Sequence, residues 1–186
     1  MKNYNLLFCF LFFSLNIFSE SLSHLQIDDG FKISIFASNI DSPRQLAEGS
    51  DGRIYVGSRS SGKIYAIRDT DKNGVADEKV LIAEDLTYAT GVSMHEGHLY
   101  FSEIDKIWRV EDVAQQLNKS NNSKPMKTLV TDNLPSDKWH GWKWIKHDEE
   151  GNLYTNVGAP CNVCESEDKR FATILRLKNN SWEYVA

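Results

Sequence analysis

Apolar residues in this chain alternate with polar ones at strand spacing, and the alternating runs fall into groups that repeat. Gly52-Arg53-Ile54-Tyr55, Gly97-His98-Leu99-Tyr100 and Gly151-Asn152-Leu153-Tyr154 each follow an acidic residue and lead into an apolar strand, at offsets of 45 and 54 residues. A second strand-like run follows each copy, at Lys63–Ile67, Lys106–Val110 and Thr173–Leu177. A third closes it, at Lys79–Leu86, Met126–Leu134 and Trp182–Ala186. One more short strand precedes each glycine, around Arg44–Glu48, Gly91–Met94 and Gly141–His147. A single helical turn is expected near Val110–Leu117.

Four short strands in a unit of about 45 to 50 residues, joined by polar turns, are the sequence form of a propeller blade. A β-sandwich also has many short strands, but not a four-strand cycle opening each time on the same Gly-x-aliphatic-Tyr. The predicted fold is therefore all-β, a β-propeller of four-stranded antiparallel blades, with three blades within residues 27–186. Phe31–Ile40 resembles the closing strand of each unit, Lys32-Ile33-Ser34-Ile35-Phe36 matching Lys79-Val80-Leu81-Ile82-Ala83. It reads as a spare outer strand whose partner belongs to a last blade beyond residue 186. Three blades cannot close a ring, so the chain reads as the first half of a longer one.

Residues 1–22 change the picture of where the protein works. Lys2 followed by the apolar stretch Leu6–Phe18, too short to span a bilayer, reads as a signal peptide, with cleavage sites after Ser21 or Ser23. The expected location is periplasmic or secreted, without stable membrane insertion once the signal is removed; an uncleaved signal would tether the same domain outside the cytoplasm. Cys9 leaves with the signal and lacks the small residue that a lipid-modified cysteine needs before it. The net charge of −5 and the lack of a basic run leave nothing to follow a phosphate backbone, so no nucleic-acid partner is expected.

Cys161 and Cys164 remain. In an oxidising compartment, Cys-Asn-Val-Cys reads as a local disulfide. A c-type haem would need His where Glu165 stands, a structural zinc would need two further ligands, and no βαβ pattern supports a thioredoxin-like role.

Asp69-Thr70-Asp71-Lys72-Asn73-Gly74-Val75-Ala76-Asp77 places oxygen side chains at the first, third, fifth and ninth positions, with glycine at the sixth. This is calcium-loop spacing, with Asp69, Asp71, Asn73 and Asp77 as ligands of a structural ion. Val80 replaces the bidentate Glu of an EF-hand, so the likeness is to acidic loops in propeller hairpins. The plainer alternative is a solvated turn, since Asn73-Gly74 is by itself a hairpin signal.

Leu134–Gly141 connects the outer strand of one blade to the inner strand of the next. Such connections open onto a mouth of the central channel, where an imidazole can serve as a general base. His140 stands there. His24, His95, His98 and His147 lie in the N-terminal segment or beside turns and are expected at the surface.

The run Leu134–Gly141, followed by Glu150-Gly151-Asn152-Leu153-Tyr154 and Gly158-Ala159-Pro160-Cys161-Asn162-Val163-Cys164, resembles the base-bearing blade of the soluble glucose/sorbosone dehydrogenase family. The likeness runs from about Phe31 to Ala186, and the Gly-Ala-Pro-Cys-Asn-Val-Cys stretch points to the sorbosone-type branch. It implies a six-bladed propeller that oxidises a sugar or aldehyde with pyrroloquinoline quinone (PQQ) and calcium, and it places the catalytic base at His140. The Pro160–Phe171 insertion would set the CxxC beside the same mouth. Glucose-oxidising members carry an acidic residue before the base and an amide ahead of the glycine opening the second blade, where this chain has Trp139 and Ala89-Thr90. The residues that grip the quinone come mostly from blades beyond residue 186. A lactonase-like propeller hydrolase and a non-catalytic binding propeller are the alternatives, because blades alone do not fix chemistry.

Overall fold

The computed structural model describes Leu22, residues 24–119 and residues 124–186. Apart from Leu22, the expected signal peptide lies outside the described residues. The chain forms two units, Met1–Ser34 and Ile35–Ala186. In the described part of the first, the Leu25 amide donates to the Leu22 carbonyl (3.0 Å) and Phe31 to Asp28 (3.2 Å), making two turns.

The second unit holds three four-stranded antiparallel sheets. The first is β1 (Pro43–Glu48), β2 (Ile54–Ser58), β3 (Ile64–Arg68) and β4 (Glu78–Ala83); the second is β5 (Val92–His95), β6 (His98–Ser102), β7 (Ile107–Val110) and β8 (Lys127–Thr131). The third is β9 (Ile145–His147), β10 (Leu153–Val157), β11 (Thr173–Lys178) and β12 (Ser181–Tyr184), and in every sheet the strands lie side by side in chain order. A short helix, α1 (Val113–Lys119), stands between β7 and β8.

The repeated glycine has a backbone reason. Gly52, Gly97 and Gly151 all take the left-handed conformation, at φ of +78°, +80° and +85°, in the turn between the first two strands of each sheet. Glycine adopts that conformation without steric penalty, so one turn chemistry sets the register of all three hairpins. The first two sheets share a second irregularity: the pairing shifts between Ile64 and Tyr65 in one and between Ile107 and Trp108 in the other.

Strand alternation then sends neighbours to opposite sheet faces. Tyr55, Ile64, Ala66 and Ile82 of the first sheet pack with Val92, Leu99, Phe101 and Val110 of the second, together with Val113 of α1. Ile107 of the second sheet packs with Ile145, Leu153, Val157 and Leu175 of the third, against Tyr100. Val56, Tyr65 and Ile67 point to the other face of the first sheet. The sheets are therefore stacked blades whose cores lie between them.

One strand expectation requires correction, and one segment stands unpaired. Phe31–Ile40, expected to pair with a strand beyond residue 186, has no ladder partner among the described residues. Within it Phe36, Ala37 and Ile40 pack against the Val56 face, and the Phe36 carbonyl accepts from the Ala76 amide at 2.7 Å. The strand expected over Gly141–His147 covers only Ile145–His147. Upstream, side chains of β10 replace the ladder: Asn156 Oδ1 accepts from the Trp144 amide (2.7 Å), its Nδ2 donates to Trp142 O (3.2 Å), and Thr155 Oγ1 donates to Trp144 O (3.0 Å).

Candidate functional site

The first strands of the three blades are tied to one another. Gln45 of β1 donates through Nε2 to Val92 O and to Ile145 O, both at 2.8 Å, and its Oε1 accepts from the Ile145 amide at 3.3 Å. One amide from the first blade thus stitches the second and third. Ser102 Oγ donates to Lys143 O and accepts from the Gly91 amide, both at 2.8 Å, joining the same two blades.

Beside these strands lies a cavity of 480 Å³ lined by Arg44, Gln45, Thr90, His140, Trp142, Trp144, Asn156 and Gly158. His140 sits at φ +50° in the connection between blades. Its Nδ1 is 3.0 Å from the Ala159 carbonyl, and its ring meets that of Trp139 edge-on, 5.4 Å between centroids. A carbonyl can only accept, so Nδ1 carries the proton and a neutral His140 keeps the lone pair on Nε2, as a base requires. Gly158 permits this approach, because a Cβ there would meet His140 O at 2.2 Å and His140 Cβ at 2.7 Å. Gln45 and Asn156 are engaged with backbone as above, and Thr90 Oγ1 with Tyr88 O at 3.2 Å. The Trp142 indole N–H is buried without a hydrogen-bond partner, and His140 Nε2 and the Arg44 guanidinium are further groups able to meet a ligand.

A second cavity, of 490 Å³, shares Arg44 and Trp142 with the first and adds Ser42, Pro43, Arg59, Ser60 and Tyr88. The Arg59 guanidinium lies 3.5 Å from the centroid of the Trp142 ring, and Tyr88 meets the same ring edge-on at 6.2 Å.

The remaining sequence candidates lie elsewhere. In the acidic loop, Asp69 accepts from the Gly74 amide (2.7 Å) and the Asn73 amide (3.2 Å), and Asp71 accepts from Asn73 Nδ2 (3.0 Å). Asn73 Oδ1 accepts from the Val75 amide at 2.8 Å, while Asp77 accepts from the Thr70 amide at 2.8 Å and the Thr70 hydroxyl at 2.5 Å. The Gly74 amide holds the Asp69 carboxyl below the usual range, and the Thr70 hydroxyl does the same for Asp77. Asp77 thus turns to Thr70 while the others turn to loop amides. Among the described residues no three His, Cys, Asp or Glu side chains are grouped to hold a metal.

Cys161 and Cys164 are joined, with Cα atoms 5.8 Å apart. Ala159 brings the base of their loop to His140, but neither cysteine lines the cavity.

His147 departs from the surface expectation. It is buried in β9 with Nδ1 2.9 Å from Ser93 Oγ, stacked on His95 at 4.8 Å and tilted against Tyr100 at 4.4 Å. Burial, reinforced by His95, pushes its pKa down to about 4, so the folded ring is neutral. Lys143 is more extreme: 1% exposed, with Nζ donating to Gly141 O at 2.6 Å and its pKa pushed down to about 8 by burial. Gln45 and Lys143 escape a reading of the sequence, since neither lies in a motif and each acquires its surroundings from another blade.

Fold and site together define an all-β propeller with a His-bearing cavity where the first strands of three blades meet. The family model described as "Domain of unknown function (DUF7133)" matches residues 18–176, and the chain belongs to that family. An uncharacterised protein of Borreliella burgdorferi is 33% identical over 95% of this chain, which spans 47% of that relative. Among solved structures, the holo form of the pyranose dehydrogenase PQQ domain from Coprinopsis cinerea superposes with a TM-score of 0.61 at 16% identity, over 75% of this chain and 34% of that one. The PQQ-bound aldose sugar dehydrogenase of Streptomyces coelicolor does so with a TM-score of 0.55 at 18% identity, over 78% and 47%. These likenesses establish the propeller fold. They also show that the chain spans between a third and a half of the length of the proteins it matches.

Proposed function

We propose that the whole protein is an exported, PQQ-dependent oxidoreductase acting on a sugar or aldehyde of the sorbosone type, and that this chain supplies its base. The observation that carries the reading is His140: Nδ1 is fixed on Ala159 O, leaving Nε2 as acceptor at a cavity walled by Trp142 and Trp144. The donor set fits a flat, polycarboxylate quinone, since the cavity offers two indoles and one guanidinium and no carboxylate. Of this chain's residues, Arg44 would hold a quinone carboxylate and the indoles would flank the rings. When bound, the quinone supplies the hydride acceptor. The chain's own part is to orient the substrate against Trp142 and Trp144, exclude water, and take the hydroxyl proton onto His140 Nε2.

A structural calcium ion in the 69–77 loop is part of the same proposal, supported by the spacing of Asp69, Asp71, Asn73 and Asp77. A lactonase-like hydrolase is less well supported, because the cavity's amides, Gln45 and Asn156, are bound to backbone rather than free to ligate a metal.

The test is turnover of the whole, quinone-loaded protein on a panel of aldoses and aldehydes with a dye acceptor. His140→Ala should lower kcat by a factor on the order of a hundred to ten thousand, with quinone binding retained. His24→Ala, which is not among the residues lining the cavity, is the control. Undiminished turnover in His140→Ala would remove the residue from the chemistry.

A further inference from the structure

The cavity around Arg59 shares Arg44 and Trp142 with the His140 cavity but is not lined by His140, and its composition is unusual. It holds two guanidinium groups, two aromatic rings and two serines, with no acidic residue in its lining. Among the described residues neither Arg44 nor Arg59 has a carboxylate within 4 Å, although all five of the chain's other arginines do. Asp41, which precedes the lining residue Ser42, is already taken by Lys63 Nζ at 2.8 Å and the Tyr65 hydroxyl at 3.1 Å. The serines are also engaged, Ser42 and Ser60 sharing a hydrogen bond at 3.2 Å.

Arg59 is nonetheless held. Its guanidinium rests 3.5 Å from the Trp142 centroid, and its amide donates to Ser42 O at 2.9 Å. A guanidinium held against an indole by cation–π attraction loses less freedom when it binds, and its N–H fork is presented ready-formed. A fixed fork matches the two oxygens of a carboxylate in a planar, bidentate pair. Arg44, which lines both cavities, adds a second positive charge on the side nearer His140.

We propose that Arg59, supported by Trp142 and reinforced by Arg44, forms a binding site for the carboxylate of a small ring-shaped ligand. The substrate class that follows is an acidic sugar, a uronate, with its carboxylate on Arg59 and its oxidisable carbon toward His140. The substrate assignment rests on the proposed oxidoreductase function; the carboxylate site itself does not. A PQQ carboxylate has the same chemistry, so the two sources are separated in the test.

The experiment is calorimetric titration of the chain with glucuronate, with glucose as the neutral counterpart, glucose 6-phosphate as the tetrahedral anion and PQQ as the alternative carboxylate. Arg59→Gln and Arg59→Lys are titrated beside it, each checked for an unchanged Tm. Saturable glucuronate binding is expected, weakened at least tenfold by Arg59→Gln, only partly restored by Arg59→Lys, and falling as salt rises. PQQ binding lost in Arg59→Gln, with none for glucuronate, keeps the carboxylate site and reassigns it to the cofactor. Glucuronate bound no better than glucose and PQQ unaffected by Arg59→Gln, or glucose 6-phosphate bound in preference to both carboxylates, overturns the proposal. Glucuronate that binds through Arg59 but is never oxidised by a whole protein that oxidises other sugars would overturn the substrate assignment and leave the site standing.

Discussion

Replacing Lys143 by Met should stabilise the protein at neutral pH. The ammonium is shut between the second and third blades, where it donates to Gly141 O at 2.6 Å, and among the described residues no carboxylate lies within 4 Å of it. Asp105 and Asp137 attract it from further away, and burial still dominates, pushing its pKa from 10.5 to about 8. A fall of that size corresponds to a penalty of about 3 kcal/mol for keeping the folded lysine charged at pH 7. Methionine has a similar reach and no charge, so it removes that penalty. It also strips Gly141 O of its donor, a loss of about 1–3 kcal/mol. The expected net gain at pH 7 is therefore small, on the order of 1 kcal/mol. The sharper signature is pH dependence. The unfolded lysine holds its proton up to about 10.5 and the folded one only to about 8, so folding releases a proton in that window and wild-type stability rises with pH across it. Urea melts followed by circular dichroism at pH 7 and pH 10 should show the wild type gaining about 2 kcal/mol relative to Lys143→Met. Parallel pH profiles for the two proteins would refute a buried, charge-penalised lysine.

The same logic with a different window applies to His147: its pKa lies near 4 in the folded state against an ordinary value of 6.5, so stability should be lost as pH falls from about 6.5 towards 4. His147→Gln should flatten that acid limb in Tm measurements between pH 4 and 7, and an unaltered limb would assign it to other groups. Calcium should raise Tm if the acidic loop binds it, and Asp71→Ala should abolish the rise; a Tm indifferent to calcium, chelator and Asp71→Ala would leave the loop as a turn held by Asp69 and Asn73. Gly158→Ala should lower activity of the whole protein sharply, with a smaller effect on Tm, because its Cβ would strike His140 O and displace the imidazole. Wild-type turnover in Gly158→Ala would show that the fit around His140 is looser than the structure has it.

The blades were legible because their signals are local. Gly52, Gly97 and Gly151 mark the same left-handed turn in each copy, and the alternation after each glycine needs only one sheet to be read. The inter-blade connection bearing His140 was legible for the same reason. Gly141–Trp144 misled because Thr155 and Asn156, a blade strand away, take over bonds that a ladder would have made. His147 was misplaced because its surroundings come from Ser93, His95 and Tyr100 of the preceding blade. Gln45 and Lys143 are likewise defined by contacts across blades.

These misses bear on how the protein works. A propeller places its chemistry where blades converge, so the site residues are contributed by more than one copy of the repeat and must depart from it without disturbing the blade. Arg44 comes from β1, Arg59 from the turn after β2, His140 from the connection into the third blade and Trp142 from the backbone before β9. None belongs to the Gly-x-aliphatic-Tyr pattern that builds the blades. The same separation is why likeness to PQQ-bound sugar dehydrogenases at 16–18% identity establishes the architecture and not the reaction, which has to be argued from this chain's own side chains, among them the Arg59 guanidinium on Trp142 and the His140 imidazole on Ala159.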